Sequence, residues 1–107
     1  MRIMSREELK AKLERGDNFR LYMTLDRQAY EHSHIPGSMH LENAAEVAAS
    51  VSPDEEIVVY CVNPACPSSA NAYRLLNKLG CKNLYRYAGG LEAWQEAGYE
   101  LVGDMET

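Results

Sequence analysis

The chain has 107 residues, of which 46% are hydrophobic and 25% are charged, and these fractions are close to the average for globular proteins. The net charge is −5, and no long run of Lys or Arg is present. This composition excludes disordered, collagen-like and coiled-coil chains, and it argues against nucleic acid as a partner. A chain of this size hides roughly two thirds of its surface on folding, so we expect a single domain over residues 1–107.

The N-terminal segment and the cysteine content indicate where the protein works. Segment 1–8 contains charged side chains and lacks the apolar stretch of a secretory signal, and the longest strongly apolar run, residues 57–62, is short. We therefore expect neither a secretory signal nor a membrane span. Three cysteines, Cys61, Cys66 and Cys81, are too few for a disulfide scaffold, which predicts reduced thiols in the cytoplasm.

Helix and strand patterns alternate along the chain. The first helix follows Ser5, which forms a capping box with Glu8, and it ends at Gly16. The other predicted elements are, in chain order, a strand over 19–25, a brief helix from 26, a rigid turn at 34–37, a strand over 39–41, a helix over 43–51, a strand over 57–60, a loop over 61–67, a helix from about 68 to 80, a strand over 83–87 and a helix over 91–97. This alternation predicts an α/β fold with a parallel sheet and right-handed crossovers.

Cys61 lies between the clearest buried strand of the sequence, Ile57–Tyr60, and the start of the next long helix. In parallel sheets, ligands bind beyond the carboxyl ends of the strands. The unpaired N–H groups of a helix N-terminus stabilise an anion there, and a thiolate is such an anion. The position predicts a lowered pKa for Cys61 and a role as nucleophile or persulfide carrier, with a buried structural thiol as the alternative.

Three groups of residues together resemble a known family. They are segment 34–38 (HIPGS), segment 57–61 (IVVYC), and segment 88–94 (AGGLEAW) followed by 97–99 (AGY). In this order and spacing they resemble the rhodanese (sulfurtransferase) homology domain. The resemblance implies a five-stranded parallel sheet with helices on both faces. It also implies that Cys61 is the catalytic nucleophile, which takes sulfane sulfur from a donor such as thiosulfate and passes it to cyanide or a thiol, without a metal or organic cofactor.

The sequence departs from the family pattern around the predicted site. Segment 62–67 carries no charge where the family usually has a basic residue that binds the anionic donor, and segment 23–25 is uncharged where the family usually has Asp-x-Arg. The loop is also longer than in the common sulfurtransferase form. Pro64 and Pro67 lack an N–H group. The predicted substrate-binding amides are therefore those of Val62, Asn63, Ala65, Cys66 and Ser68.

These departures keep other functions open. A longer loop is also typical of the dual-specificity phosphatases that resemble rhodanese, but the arginine with which such enzymes hold phosphate is replaced here by Pro67, and the first downstream arginine is Arg74. The missing charge argues against a phosphatase. Two further hypotheses are a non-catalytic binding or regulatory module and a dithiol redox protein that uses Cys61 and Cys66.

Several other side chains have two interpretations each. Cys66 either resolves a persulfide or fills a loop position, and Arg86 either reaches the active loop with a positive charge or is solvated on an edge strand. Ser68 or Ser69 is expected to cap the following helix, and Ser68 is also a donor to a bound anion. Cys81 and Trp94 are expected to be buried.

The predicted partners are small molecules. The donor is a small sulfur-containing anion or a persulfide, the acceptor is a thiol, and a protein partner is left open. Three histidines, His32, His34 and His40, lie near Glu31, but their spacing is not that of a zinc site. The sequence therefore predicts no metal.

Overall fold

The computed structural model describes residues 1–104, and residues 105–107 of the predicted domain lie outside the described residues. Its strands are β1 (Ile3–Met4), β2 (Arg20–Met23), β3 (Met39–His40), β4 (Ile57–Tyr60) and β5 (Leu84–Tyr87). Its helices are α1 (Arg6–Arg15), α2 (Arg27–His32), α3 (Ala44–Ser50), α4 (Pro67–Lys78) and α5 (Gly90–Glu96). Nine of these ten elements overlap the elements predicted from the sequence pattern, and β1 is the addition.

The five strands form one sheet in the order β1-β5-β4-β2-β3, and every neighbouring pair is parallel. The predicted five-stranded parallel sheet is thus confirmed. β4 lies at the centre and all four of its residues are buried, as its apolar composition predicts. β1 pairs with β5 through Ile3 and Arg86, so the prediction of an edge-strand position for Arg86 is wrong. The two-residue length of β1 explains why no periodicity indicated it.

Helices cover both faces of the sheet, as expected. On β4, Val58 and Tyr60 belong to one core cluster, whereas Ile57 and Val59 belong to the other, because successive side chains of a strand point to opposite faces. Residues of α1, α2 and α5 pack in the first cluster, and residues of α3 and α4 pack in the second. Trp94 and Cys81 are both buried, in agreement with the sequence.

The ends of α1 agree with the sequence, whereas the start of α4 does not. Ser5 and Glu8 form the predicted capping box, and Gly16 ends α1 in the left-handed conformation. The N-cap of α4 is Cys66, which makes no side-chain capping hydrogen bond, and Pro67 follows it. The expected capping by Ser68 or Ser69 is therefore wrong. Proline fits the first helical position because the N–H group that it lacks would have no partner within the helix.

The hydroxyl of Tyr60 joins the residues around His34 to the central strand. It accepts a hydrogen bond from the N–H of Ile35 at 3.0 Å and is paired with the Ser38 hydroxyl at 2.8 Å. Tyr87 is also buried, but its hydroxyl has no partner among residues 1–104. Burial raises the pKa of both tyrosines to about 12, so both are neutral at physiological pH.

We expect Tyr60→Phe to lower the free energy of unfolding by about 1–3 kcal/mol, because it leaves the buried N–H of Ile35 without an acceptor. Tyr87→Phe is the matched control and is expected to be neutral or slightly stabilising, because the hydroxyl it removes is unpaired within the described part of the chain. Urea unfolding of the two variants measures the difference. Equal destabilisation by both substitutions would contradict the role assigned to Tyr60.

Candidate active site

Cys61 directly follows the central strand, and only 1% of its surface is exposed. Its Sγ lies 3.6 Å from the carbonyl oxygen of Cys66 and 3.4 Å from the Oγ of Ser69. The loop after β4 therefore turns back on itself. It brings the N-cap residue and the first turn of α4 against the sulfur of Cys61.

Asn63 closes the loop. Its backbone oxygen accepts the N–H of Cys66 at 3.1 Å, and its Oδ1 accepts the N–H of Ala65 at 3.0 Å. Its Nδ2 donates to Glu92 at 2.8 Å and so joins the loop to α5. The N–H groups of Ala65 and Cys66, which were predicted to bind an anion, are thus both used inside the loop in this conformation, and their binding of an anion stays a prediction.

Two of the remaining predicted amides, those of Val62 and Ser68, interact with Cys66. Both N–H groups favour the anionic form of its thiol. The N–H of Asn63 stays a predicted donor. The groups that favour the anionic form of Cys61 are the N–H and the hydroxyl of Ser69. From the sequence, Ser69 was expected only to cap the helix. Its position in the first turn of α4 is the feature that could have indicated a contact with Cys61.

The expectation of a lowered pKa for Cys61 is wrong. Burial raises the pKa of Cys61, and the neighbouring Cys66 thiol adds to this effect, whereas Ser69 only partly opposes it. Burial also raises the pKa of Cys66, but hydrogen bonds from Cys61, Ser68 and Val62 outweigh it, so the pKa of Cys66 is lowered. The pKa values of the two neighbouring thiols are thus shifted in opposite directions, upward for Cys61 and downward for Cys66.

Arg86 brings a positive charge to this loop from the neighbouring strand β5. Its Nε donates to the Ser69 hydroxyl at 2.8 Å, and its Nη2 donates to the carbonyl oxygens of Pro64 at 3.1 Å and Cys66 at 3.3 Å. No carboxylate of residues 1–104 pairs with it. Of the two interpretations of Arg86, the one in which it reaches the active loop is confirmed. The binding-module hypothesis depends on the uncharged loop together with the uncharged segment 23–25, and Arg86 weakens the first of these two supports.

Ser69 connects Arg86 to Cys61. Ser69 is 1% exposed, and its Oγ accepts hydrogen bonds from Arg86 at 2.8 Å and from the Cys61 thiol at 3.4 Å. Once Cys61 is an anion, the hydroxyl proton of Ser69 is available to point toward its sulfur. A hydroxyl held in this way donates to a sulfur anion. The negative charge that a reaction at Cys61 produces is therefore met by a serine hydroxyl that an arginine orients.

The histidines of the described residues are relevant to a metal site, and the helices are relevant to a membrane span. The Nδ1 of His34 lies 2.7 Å from the Tyr30 carbonyl oxygen, and the Nε2 of His40 lies 2.6 Å from that of Leu25. Within residues 1–104, no group of three or more His, Cys, Asp or Glu side chains is arranged to hold a metal ion. In the same range, no helix combines the length and the apolar character needed to cross a membrane.

The comparisons with known proteins agree with the architecture of the sheet. Thiosulfate sulfurtransferase GlpE from Pseudomonas syringae pv. syringae is 38% identical over 72 residues, which are 65% of this chain and 66% of that protein. GlpE from Pseudomonas entomophila is 36% identical over 85 residues, which are 76% of each chain. The chain thus spans 66% of the first of these relatives and 76% of the second.

Solved structures share the fold along nearly the whole chain. The BH2092 protein from Bacillus halodurans superposes with a TM-score of 0.89 at 22% identity, over 97% of this chain and 78% of that one. The rhodanese-like domain of the Alr3790 protein from Anabaena sp. has a TM-score of 0.87 at 26% identity, over 100% of this chain and 83% of that one. A family model described as "Rhodanese-like domain" matches residues 5–97. Because this match covers most of the chain and the parallel sheet has the same architecture, the chain belongs to the rhodanese-like domain family.

Proposed function

We propose that the protein is a sulfurtransferase that carries sulfane sulfur as a persulfide on Cys61. The observation that carries the proposal is the contact between the Cys61 sulfur and a Ser69 hydroxyl that Arg86 holds at 2.8 Å. The names of the curated relatives, which are thiosulfate sulfurtransferases, support the same class of reaction. The proposed donor is a thiosulfate-like anion or a persulfide, and the proposed acceptor is a thiol or cyanide.

The reaction begins with the removal of the Cys61 proton. The neighbouring Cys66 has the lower pKa of the two thiols and therefore ionises more readily. Its anion acts as the base that takes the proton of Cys61. The Cys61 thiolate then attacks the outer sulfur of thiosulfate. The new bond joins this sulfur to Sγ, the sulfur–sulfur bond of the donor breaks, and sulfite leaves with its electron pair.

The second half of the reaction returns Cys61 to its thiolate. An acceptor nucleophile attacks the outer sulfur of the persulfide, and Cys61 leaves with the electron pair of the broken bond. Ser69, oriented by Arg86, stabilises the sulfur anion at both stages. The amides of Val62, Asn63 and Ser68 are the proposed contacts of the donor oxygens, because those of Val62 and Ser68 lose their anionic partner once Cys66 is protonated. A cytoplasmic location is part of the proposal, because all three cysteines are free thiols.

Incubation with thiosulfate followed by intact-mass measurement tests this function. We expect the wild type, sampled immediately after mixing, to have gained one sulfur atom, which peptide mapping assigns to Cys61, with release of sulfite in equal amount. Cys61→Ser should gain none. Cys81→Ser is the matched control and should load like the wild type, because Cys81 is buried in the core cluster on the α3 and α4 face of the sheet. Uptake of sulfur by Cys61→Ser to the wild-type extent would overturn the assignment.

A further inference from the structure

The active loop holds a second thiol, Cys66, in a fixed position next to Cys61. The Cys61 Sγ lies 3.6 Å from the backbone oxygen of Cys66, and the two thiols interact directly. Residue 66 is held on both sides of its side chain, because Asn63 accepts its N–H at 3.1 Å and Arg86 donates to its carbonyl oxygen at 3.3 Å. Its thiol therefore stays beside the sulfur that the proposed reaction modifies.

We propose that Cys66 resolves the persulfide of Cys61 by forming a Cys61–Cys66 disulfide, so that the protein releases sulfide when no external acceptor takes the sulfur. This inference rests on the proposed function, since it requires sulfur on Cys61. It gives the loop a second outcome, which is the reduction of sulfane sulfur to sulfide.

The step balances in atoms and electrons. Cys66, which took the proton of Cys61 during loading, passes that proton to the outer sulfur of the persulfide. The resulting Cys66 thiolate attacks Sγ of Cys61, which is the inner sulfur of the persulfide, and a bond forms between the two cysteine sulfurs. The bond between Sγ and the outer sulfur breaks, and the outer sulfur leaves as hydrosulfide with the electron pair and its hydrogen. The two cysteines are oxidised and the sulfane sulfur is reduced. A dithiol reductant then returns the disulfide to two thiols.

The burial of the Cys61 Sγ determines which sulfur of the persulfide each nucleophile attacks. The inner sulfur is the Sγ of Cys61, which is almost completely buried, so a nucleophile from solution meets the outer sulfur first. Cys66 approaches from within the loop, where its backbone oxygen already lies 3.6 Å from the inner sulfur. It is itself partly exposed, so a reductant from solution can attack the Cys66 sulfur of the resulting disulfide. An external acceptor and Cys66 thus compete for the same persulfide at different sulfur atoms.

The test compares proteins loaded with thiosulfate to the same extent, as checked by intact mass, and then freed of thiosulfate. We expect the wild type to release sulfide equal to the sulfur loaded and to acquire a disulfide that peptide mapping assigns to Cys61 and Cys66. Cys66→Ser is expected to keep its sulfur and to release sulfide only after dithiothreitol is added. Cys81→Ser should behave like the wild type, because Cys81 lies outside the loop.

Two results would overturn the resolving role and leave the sulfurtransferase function intact: sulfide release from Cys66→Ser at the wild-type rate, and a wild-type protein that retains its sulfur. Failure of thiosulfate to load Cys61 in the wild type and in Cys81→Ser would instead reject the sulfurtransferase function. The pairing is then tested by oxidising the reduced wild type with diamide and mapping its disulfides. A Cys61–Cys66 disulfide that yields a persulfide with sodium sulfide supports the step, and absence of that disulfide overturns it.

Discussion

Gly90→Ala is expected to lower the free energy of unfolding by roughly 2–5 kcal/mol and to abolish sulfur transfer. Gly90 has a φ of 66°, and a Cβ atom there would lie 2.4 Å from the backbone oxygen of Val62 and 2.6 Å from that of Cys61. At the start of α5, the N–H of Leu91 donates to the Cys61 oxygen at 3.0 Å and the N–H of Glu92 donates to the Val62 oxygen at 2.9 Å. A methyl group would separate α5 from the active loop and break both hydrogen bonds.

Gly16→Ala is the matched control for this substitution. Gly16 has a φ of 71°, and a Cβ atom added there would meet no atom within 4 Å. We expect it to cost only the backbone strain of about 1–2 kcal/mol and to leave sulfur transfer unchanged. Urea unfolding and a thiosulfate:cyanide assay of both variants measure the two effects. If Gly90→Ala lowers stability and sulfur transfer no more than Gly16→Ala does, the contact between α5 and the loop does not require glycine at position 90.

Local patterns in the sequence were sufficient to predict most elements of the fold. The buried run Ile57–Tyr60 indicated the central strand, the capping box of Ser5 and Glu8 marked the start of α1, and Gly16 marked its end. These signals depend on residues close together in the chain. The number of strands came from the family resemblance instead, because the short β1 has no pattern of its own.

The chemistry of the site could not be predicted in the same way, because it depends on contacts between distant residues. Arg86 reaches the loop only because β5 pairs with β4 in the register that sets Val59 opposite Arg86. The prediction of a lowered pKa for Cys61 considered the helix N-terminus but not the burial of the thiol, and burial is the larger effect. Likewise, the use of the Ala65 amide inside the loop follows from the turn that Asn63 closes.

Arg86→Gln is expected to slow the reaction of Cys61 with thiosulfate by roughly 10- to 100-fold, the range that a charge-assisted hydrogen bond of about 1.5–3 kcal/mol predicts. The substitution removes the positive charge and the hydrogen bond that orients Ser69. The thiolate of Cys61 then loses stabilisation, so the pKa of Cys61 rises further. In a Cys66→Ser background, the rate of Cys61 alkylation against pH should therefore shift to higher pH.

Two variants separate the charge from the geometry. Arg86→Lys keeps the positive charge but cannot bind Ser69 and the two loop carbonyls at once, so we expect a smaller loss of rate than with Arg86→Gln. Arg74→Gln removes a positive charge from the exposed side of α4, where Arg74 contacts Asn71 at 3.4 Å, and should change neither rate nor pH profile. If Arg86→Gln matches Arg74→Gln, Cys61 draws no stabilisation from Arg86, and the thiolate depends on the hydroxyl and the N–H of Ser69.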